Sequence, residues 1–289
     1  MRVLVCLLLL VLHSAVGTRP DELRRGTSGT IKLQEHRKIS HDTYYLGERQ
    51  HPTESDVTLS GYAFLNLHKS AVPSSGLPRA EKHLHFNRSV LATHEAGHCT
   101  GPIAEGAAWR VTRGYYLHTR NRHQLTPEFM IDALQKANDE WRCALTLGER
   151  LVAGPLIAAI DESSGSVINL SAPDGRNEVG FATIEGRPGT VAVTIVWGIF
   201  GGPLAQRRIT EYDMVFDGVH YNWGDGSRRS SVMDLQAIAT HETGHSLGLD
   251  DVYDASCNSV TMYGTSAEGE TQKRSIEQTD IEGLAALYT

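Results

Sequence analysis

From Ala107 onward the apolar positions follow two distinct periods. In LTPEFMIDALQKANDEWRCAL (125–145), Met130, Ala133, Leu134, Ala137, Trp141 and Leu145 share one face at helical spacing. Thr126 can cap that helix and Pro127 suits its first turn, so a helix is predicted there. The neighbouring runs are shorter and bounded by Gly, Pro or polar residues: AWRVTRGYYLHT (108–119), RLVAGPLIAAI (150–160), NEVGFATIE (177–185), TVAVTIVWGIF (190–200) and ITEYDMVFD (209–217). They read as strands. A second helix is predicted from Ser231, with Asp234 at capping-box spacing, through VMDLQAIATHETGHSLG (232–248), and a third over SIEQTDIEGLAALY (275–288). This order predicts an α+β domain over 106–289, with a twisted mixed sheet, a central helix and a closing helix.

Upstream the pattern fades. Residues 18–90 read as polar and irregular, broken by AVPSSGLPRAEK (71–82), and eight histidines lie without regular spacing between His36 and His98. The expected division is a leader over 1–17, a pro-segment or loosely folded region over 18–105, and the α+β domain over 106–289. The leader has Arg2, an apolar run from Val3 to Leu12, and small residues at Ala15 and Gly17, the layout of a secretory signal peptide. Its apolar run is about half of the ~20 residues a membrane span needs, so a secreted, extracellular protein is expected rather than a membrane one. Asn87 and Asn169 sit in glycosylation sequons.

The net charge of −7 leaves no basic footprint for nucleic acid, and KRS (273–275) reads as a solvated loop. With Cys6 lost in the leader, Cys99, Cys143 and Cys257 remain, an odd number for an oxidising compartment. Cys143, at the end of the first helix, and Cys257 are the expected disulfide.

The chemistry lies in a motif that occurs twice. ATHETGHSLGL (239–249) reads HExxHxxG and reaches Asp251 three residues after Gly248. On a helix, His241 and His245 aim at one ion, and Glu242 beside them is placed to act on water. Gly248 can end the helix and turn the chain back, which brings Asp251 round as a third ligand; Asp250 is a rival disfavoured by spacing. SVTMYG (259–264) then places Met262 in a tight turn. The earlier copy, ATHEAGHCTGP (92–102), has His94, Glu95 and His98, but its third-ligand position falls on Ala104, which binds no metal.

HExxHxxGxxD, the methionine turn and the closing helix with Asp280, Gly283, Leu284, Leu287 and Tyr288 together resemble the metzincin metallopeptidases, and most closely the matrixins. The likeness extends to the EYDMVFD strand with the following YNW, and more weakly to the helix at 127–145, covering most of 105–289. It implies a secreted, zinc-dependent endopeptidase made as a zymogen, acting on extended protein or peptide substrates. Met262 would floor the zinc, Glu242 would serve as general base, and TVAVTIVW would be the edge strand that pairs with substrate. It also implies a pro-segment cysteine on the zinc, a role for which Cys99 is the candidate, although His98 and Thr100 replace the flanking residues of the family's switch. Aspartate in place of the family's third histidine is a departure. So is Met214, near the place where a histidine usually binds a structural zinc; calcium at Asp213 or Asp217 is an open expectation. A monomer is expected. Two alternatives stay open: a gluzincin using Glu268, Glu270 or Glu277 as third ligand, and a catalytically silent secreted protein that binds zinc or a partner.

Overall fold

The structure, a computed structural model, describes residues 29–72, 99, 106–111, 114–146, 157–160 and 168–288. The leader, Asn87, and the first motif with His94, Glu95 and His98 lie outside the described residues. Four strands come first: β1 (Thr30–Lys32), β2 (Arg37–Lys38), β3 (Thr43–Gln50) and β4 (Thr58–His68). Then follow β5 (Ala108–Trp109), β6 (Tyr115–Leu117), helix α1 (Pro127–Thr146), β7 (Ile157–Ile160), β8 (Glu178–Glu185), β9 (Thr190–Ile199) and β10 (Arg208–Asp217). Short strands β11 (Trp223–Gly224) and β12 (Met233–Asp234) lead into α2 (Leu235–Ser246), after which come β13 (Thr265–Ser266) and α3 (Gln278–Tyr288). No helix among the described residues is long and apolar enough to cross a membrane.

The main sheet runs β2-β3-β4-β9-β10-β8-β6-β7, with β1 on β8, β5 on β10 and β13 on β4. Strands β10, β8, β6 and β7 pair parallel, whereas β9 is antiparallel to both β10 and β4. The irregular reading of 18–90 is therefore corrected for residues 29–72, which form strands. The physical reason is visible in TLSGYAFLNLH: Leu59, Ala63, Leu65 and Leu67 alternate onto one core, and Phe64 faces the other. It follows that β9 is an interior strand here, not an edge.

Each sheet face buries its own core. One face packs Met130, Leu134 and Trp141 of α1, Ile238 of α2 and Leu284 of α3 against Tyr212 and Phe216. The other gathers Ile31, Leu33, Leu65, Val193, Trp197 and Val215. Gly61 is needed where β4 crosses Trp197, because a Cβ there would lie 2.5 Å from the indole ring.

Helix α2 begins at Leu235, later than the expected Ser231, because Met233 and Asp234 pair in β12 and Asp234 is the N-cap. Its carboxylate accepts from Ala237 N–H at 2.8 Å, satisfying a helix-end donor without help from Ser231. Carbonyls along α2 and at its C-terminal end are met by side chains from other elements. Trp141 Nε1 donates to Thr240 O (2.7 Å), Trp109 Nε1 to Ser246 O (2.7 Å) and the Tyr288 hydroxyl to Leu247 O (2.8 Å). These bonds fix the helix axially against α1, β5 and α3.

Candidate active site

Within α2, His241 and His245 stand one turn apart with ring centroids 4.8 Å apart and planes nearly perpendicular. Their Nδ1 atoms donate to Thr261 O and Leu249 O, each at 2.8 Å. A carbonyl can only accept, so both Nε2 atoms carry lone pairs when the rings are neutral. Burial holds His245 down at about 4 and His241 well below the usual imidazole range, so neutral rings are favoured. Gly248 has φ 103°, and a Cβ there would meet Ala107 O at 3.0 Å. The chain turns at that point, Leu249 N–H bonding back to Gly244 O, and brings Asp251 under the histidines.

The Asp251 oxygens lie 3.2 Å from His241 Nε2 and 3.5 Å from His245 Nε2. Despite that approach, neither Nε2 and neither carboxylate oxygen has a hydrogen-bond partner, and all are buried. Two lone pairs and a carboxylate facing one another out of contact with bulk solvent repel unless a cation lies between them. Burial, with Asp42 and Asp250 nearby, pushes the Asp251 carboxyl well above its ordinary range, a penalty a dication would reverse. The three residues offer ligand atoms within 4.8 Å of one another and are the single compact His/Cys/Asp/Glu group among the described residues. Two imidazoles and a carboxylate fit the three protein ligands of a catalytic zinc. Asp250, the rival, instead accepts from Asp251 N–H at 2.9 Å.

Glu242 is completely buried beside this group. Its Oε2 accepts from the Thr194 hydroxyl of β9 at 2.5 Å, and its Oε1 has no partner. Burial raises the carboxyl to about 8, against the lowering effects of the Thr194 bond and the Lys273 charge. Met262 lies under α2 at Gly244, where a Cβ would meet Met262 Sδ at 2.3 Å and Trp141 Cζ2 at 2.9 Å. Glycine between the two histidines is therefore what admits the methionine. Asp280, buried near the start of α3, accepts from Thr261 N (3.1 Å), Met262 N (3.3 Å) and Glu277 N (2.9 Å), clamping that turn.

Three expectations are corrected. Cys257 pairs with Cys99 rather than Cys143; the Cα atoms are 5.4 Å apart, within disulfide reach. The side chain of Cys143 lies outside the described residues. Cys99 is thus no thiolate latch, because its sulfur is already bonded. KRS is no solvated loop: Lys273 is buried and donates to Tyr263 O, Thr265 O and Ser266 Oγ, while Arg274 bonds Asp234 and Asp225. Glu268 and Glu270, named for a gluzincin, face His68 and Lys69 instead.

Asp213 and Asp217 each accept from backbone N–H groups. Asp213 Oδ1 accepts Glu178 N–H at 3.0 Å, and Asp217 caps the turn at Val219 and His220. Met214 is a buried core residue. Sequence reasoning missed Thr194, Lys273 and two N-terminal neighbours of the site. Phe64 stacks on the His245 ring, with centroids 5.1 Å apart and planes 20° apart, and Asp42 lies near Asp251.

A search of curated proteins returned no match. Residues 184–289 match the family model described as matrixin, peptidase family M10, a stretch that holds β9, β10, the metal-ligand group, the methionine turn and α3. The match over 184–289 supports a matrixin-like metzincin catalytic domain, and the mixed sheet with three helices among the described residues is consistent with the α+β fold of that family.

Proposed function

We propose that the protein is a secreted zinc endopeptidase made as a precursor, with 18–105 as its pro-segment. The carrying observation is the convergence of four unpartnered, buried ligand atoms from His241, His245 and Asp251 beside an unpartnered Glu242 Oε1. The leader at 1–17 supports secretion, and the matrixin match supports peptide hydrolysis.

A zinc ion held by His241, His245 and Asp251 would polarise the scissile carbonyl and make water more acidic. Glu242 takes the proton from the attacking water through Oε1 and passes it to the leaving amine. Thr194 holds Oε2, so the carboxylate keeps one orientation through both transfers. Burial alone favours the neutral Glu242 carboxyl, and cationic charge nearby would favour the ionised form that can accept a proton. Met262 and Gly244 keep the two histidines on one rigid helical turn.

The precursor reading draws on burial: His241, Glu242 and His245 are each 0 % exposed. A test follows the cleavage of a generic fluorogenic peptide by the full chain before and after limited proteolysis, with Glu242→Ala taken through the same steps. The wild-type rate is expected to rise after proteolysis while Glu242→Ala stays silent with metal bound. Equal rates in the two proteins would refute the assignment.

A further inference from the structure

We propose that Asn169 carries an N-linked oligosaccharide, added to its side-chain amide as the chain enters the secretory route. This rests on the secreted reading above and concerns a modification site outside the metal-ligand group.

Asn169 opens the sequon Asn169-Leu170-Ser171. Of the asparagines among the described residues, it alone has a serine or threonine two positions on. A folded chain tolerates a glycan only where the amide nitrogen is not engaged in the fold, and the local geometry meets that condition. Asn169 Oδ1 accepts from the Ser171 hydroxyl at 3.0 Å and from Ser171 N–H at 3.4 Å, the turn in which an asparagine side chain bonds the backbone two residues on. Both bonds use the amide oxygen. Nδ2, the atom that receives the sugar, makes no hydrogen bond among the described residues and is not one of their buried unpartnered atoms. Asn177 shows the opposite case. Its Nδ2 donates to Gly114 O and its Oδ1 accepts from Tyr212 N–H, both at 2.9 Å, so its whole amide is committed to the fold.

The backbone at this point is fixed while the side chain is not. Ile168 and Leu170 are buried in the core on the sheet face away from α2, whereas Asn169 between them is half-buried and Ser171 is exposed. Asn169 N–H donates to Glu178 Oε2 at 3.1 Å, and Glu178 Oε1 bonds His118 Nε2 at 3.0 Å. A sugar on Nδ2 displaces no core side chain and leaves each of these bonds in place, as a bulky, solubilising surface group must. In the transfer, Nδ2 attacks the anomeric carbon of an oligosaccharide carried on a lipid diphosphate. An N–C bond replaces the C–O bond to the diphosphate, and Nδ2 gives up one proton. The lipid diphosphate leaves with the bonding electron pair, and nothing is oxidised or reduced.

The test expresses the full chain, leader included, in a eukaryotic secretory cell. Protein from the medium is treated in heavy-oxygen water with a peptide amidase that removes N-glycans, which turns a glycosylated asparagine into a heavy-labelled aspartate. Mass spectrometry then reads the one peptide that holds position 169, so Asn87 does not enter the result. Heavy label at position 169 is expected in wild type and in Ser171→Thr, which keeps the hydroxyl, and its complete loss in Ser171→Ala. Should Ser171→Ala fail to leave the cell, the wild-type peptide with and without the amidase carries the test alone. Secreted protein with Asn169 unlabelled overturns the modification and leaves the secreted reading standing. Label that persists in Ser171→Ala or without the amidase, as spontaneous deamidation gives, overturns it too. A chain kept in the cytosol with its leader uncut overturns the secreted reading and the glycan with it.

Discussion

Asp234→Ala isolates what holds the catalytic helix in place. The Asp234 side chain is 1 % exposed, and its carboxylate accepts from Ala237 N–H (2.8 Å), Gly226 N–H (2.7 Å) and Arg274 Nε and Nη2 (2.9 and 2.5 Å). Losing the N-cap costs about 1 kcal/mol. Stranding the buried Gly226 N–H adds roughly 1–3 kcal/mol. Breaking a fully buried ion pair costs roughly 3–5 kcal/mol, but Arg274 is 28 % exposed and keeps Asp225 at 2.6 Å, so about 1–2 kcal/mol is assigned to that loss. The total is about 3–6 kcal/mol, a large share of the ~5–15 kcal/mol that stabilises a typical domain. Urea unfolding followed by circular dichroism reads this as a lower midpoint at unchanged m-value. Asp225→Ala, which removes a more exposed partner of the same arginine, is expected to cost under about 1 kcal/mol. A loss below about 1 kcal/mol for Asp234→Ala, or equal losses for the two variants, would refute the placement of Asp234 as the buried anchor of α2.

Other consequences are equally open to measurement. Bonding to the Ser227 hydroxyl, and then to Arg274, holds Asp225 at about 2, below its ordinary 3.8. A depressed carboxylate stabilises the fold above its unfolded value and loses that contribution as pH falls toward 2. The stability gap between wild type and Asp225→Asn should therefore narrow between pH 4.5 and pH 2; a constant gap in urea titrations would count against the ion pair. Cys257→Ser opens a covalent link spanning 158 residues and is expected to cost ~2–4 kcal/mol, seen as a lower melting temperature that reductant does not lower further. Thr194→Val removes the hydroxyl bond to Glu242 without changing volume much. In protein cut between residues 73 and 98 it should lower kcat ~10-fold with little change in KM, and a wild-type kcat would show that Oε2 needs no such support.

The parts of the site that were legible in the sequence are those whose geometry is local. His241, Glu242, His245 and Asp251 lie on one helix and the turn after it, so helical spacing and one glycine suffice to bring them together. Thr194 precedes Glu242 by 48 residues and meets it only because β9 crosses α2, which no local period encodes. Phe64 was hidden for the same reason, compounded by the breakers and histidines that obscured the alternation of β4. Lys273 misled because a lysine in a polar loop is normally solvated. Here Tyr263 O, Thr265 O and Ser266 Oγ replace the water, and burial lowers its ammonium to about 8. The cysteine pairing was misassigned, with Cys143 expected on Cys257 where Cys99 is found, because three cysteines allow several bridges and spacing alone ranks none of them.

The fold also explains why the N-terminal strands belong in the account of function. Strand β4 contributes Leu59, Ala63, Leu65 and Leu67 to the core behind the sheet and Phe64 to the core in front of it. Its removal would uncover apolar surface on both faces of β9.

The most direct measurement is metal content with chelator competition, made side by side on the full chain and on Asp251→Ala. The expected result is one equivalent of zinc on the wild type, with affinity at least ~100-fold weaker once Asp251 is lost. Wild-type affinity in Asp251→Ala would contradict the site, because His241 and His245 would then be holding zinc with some other third ligand.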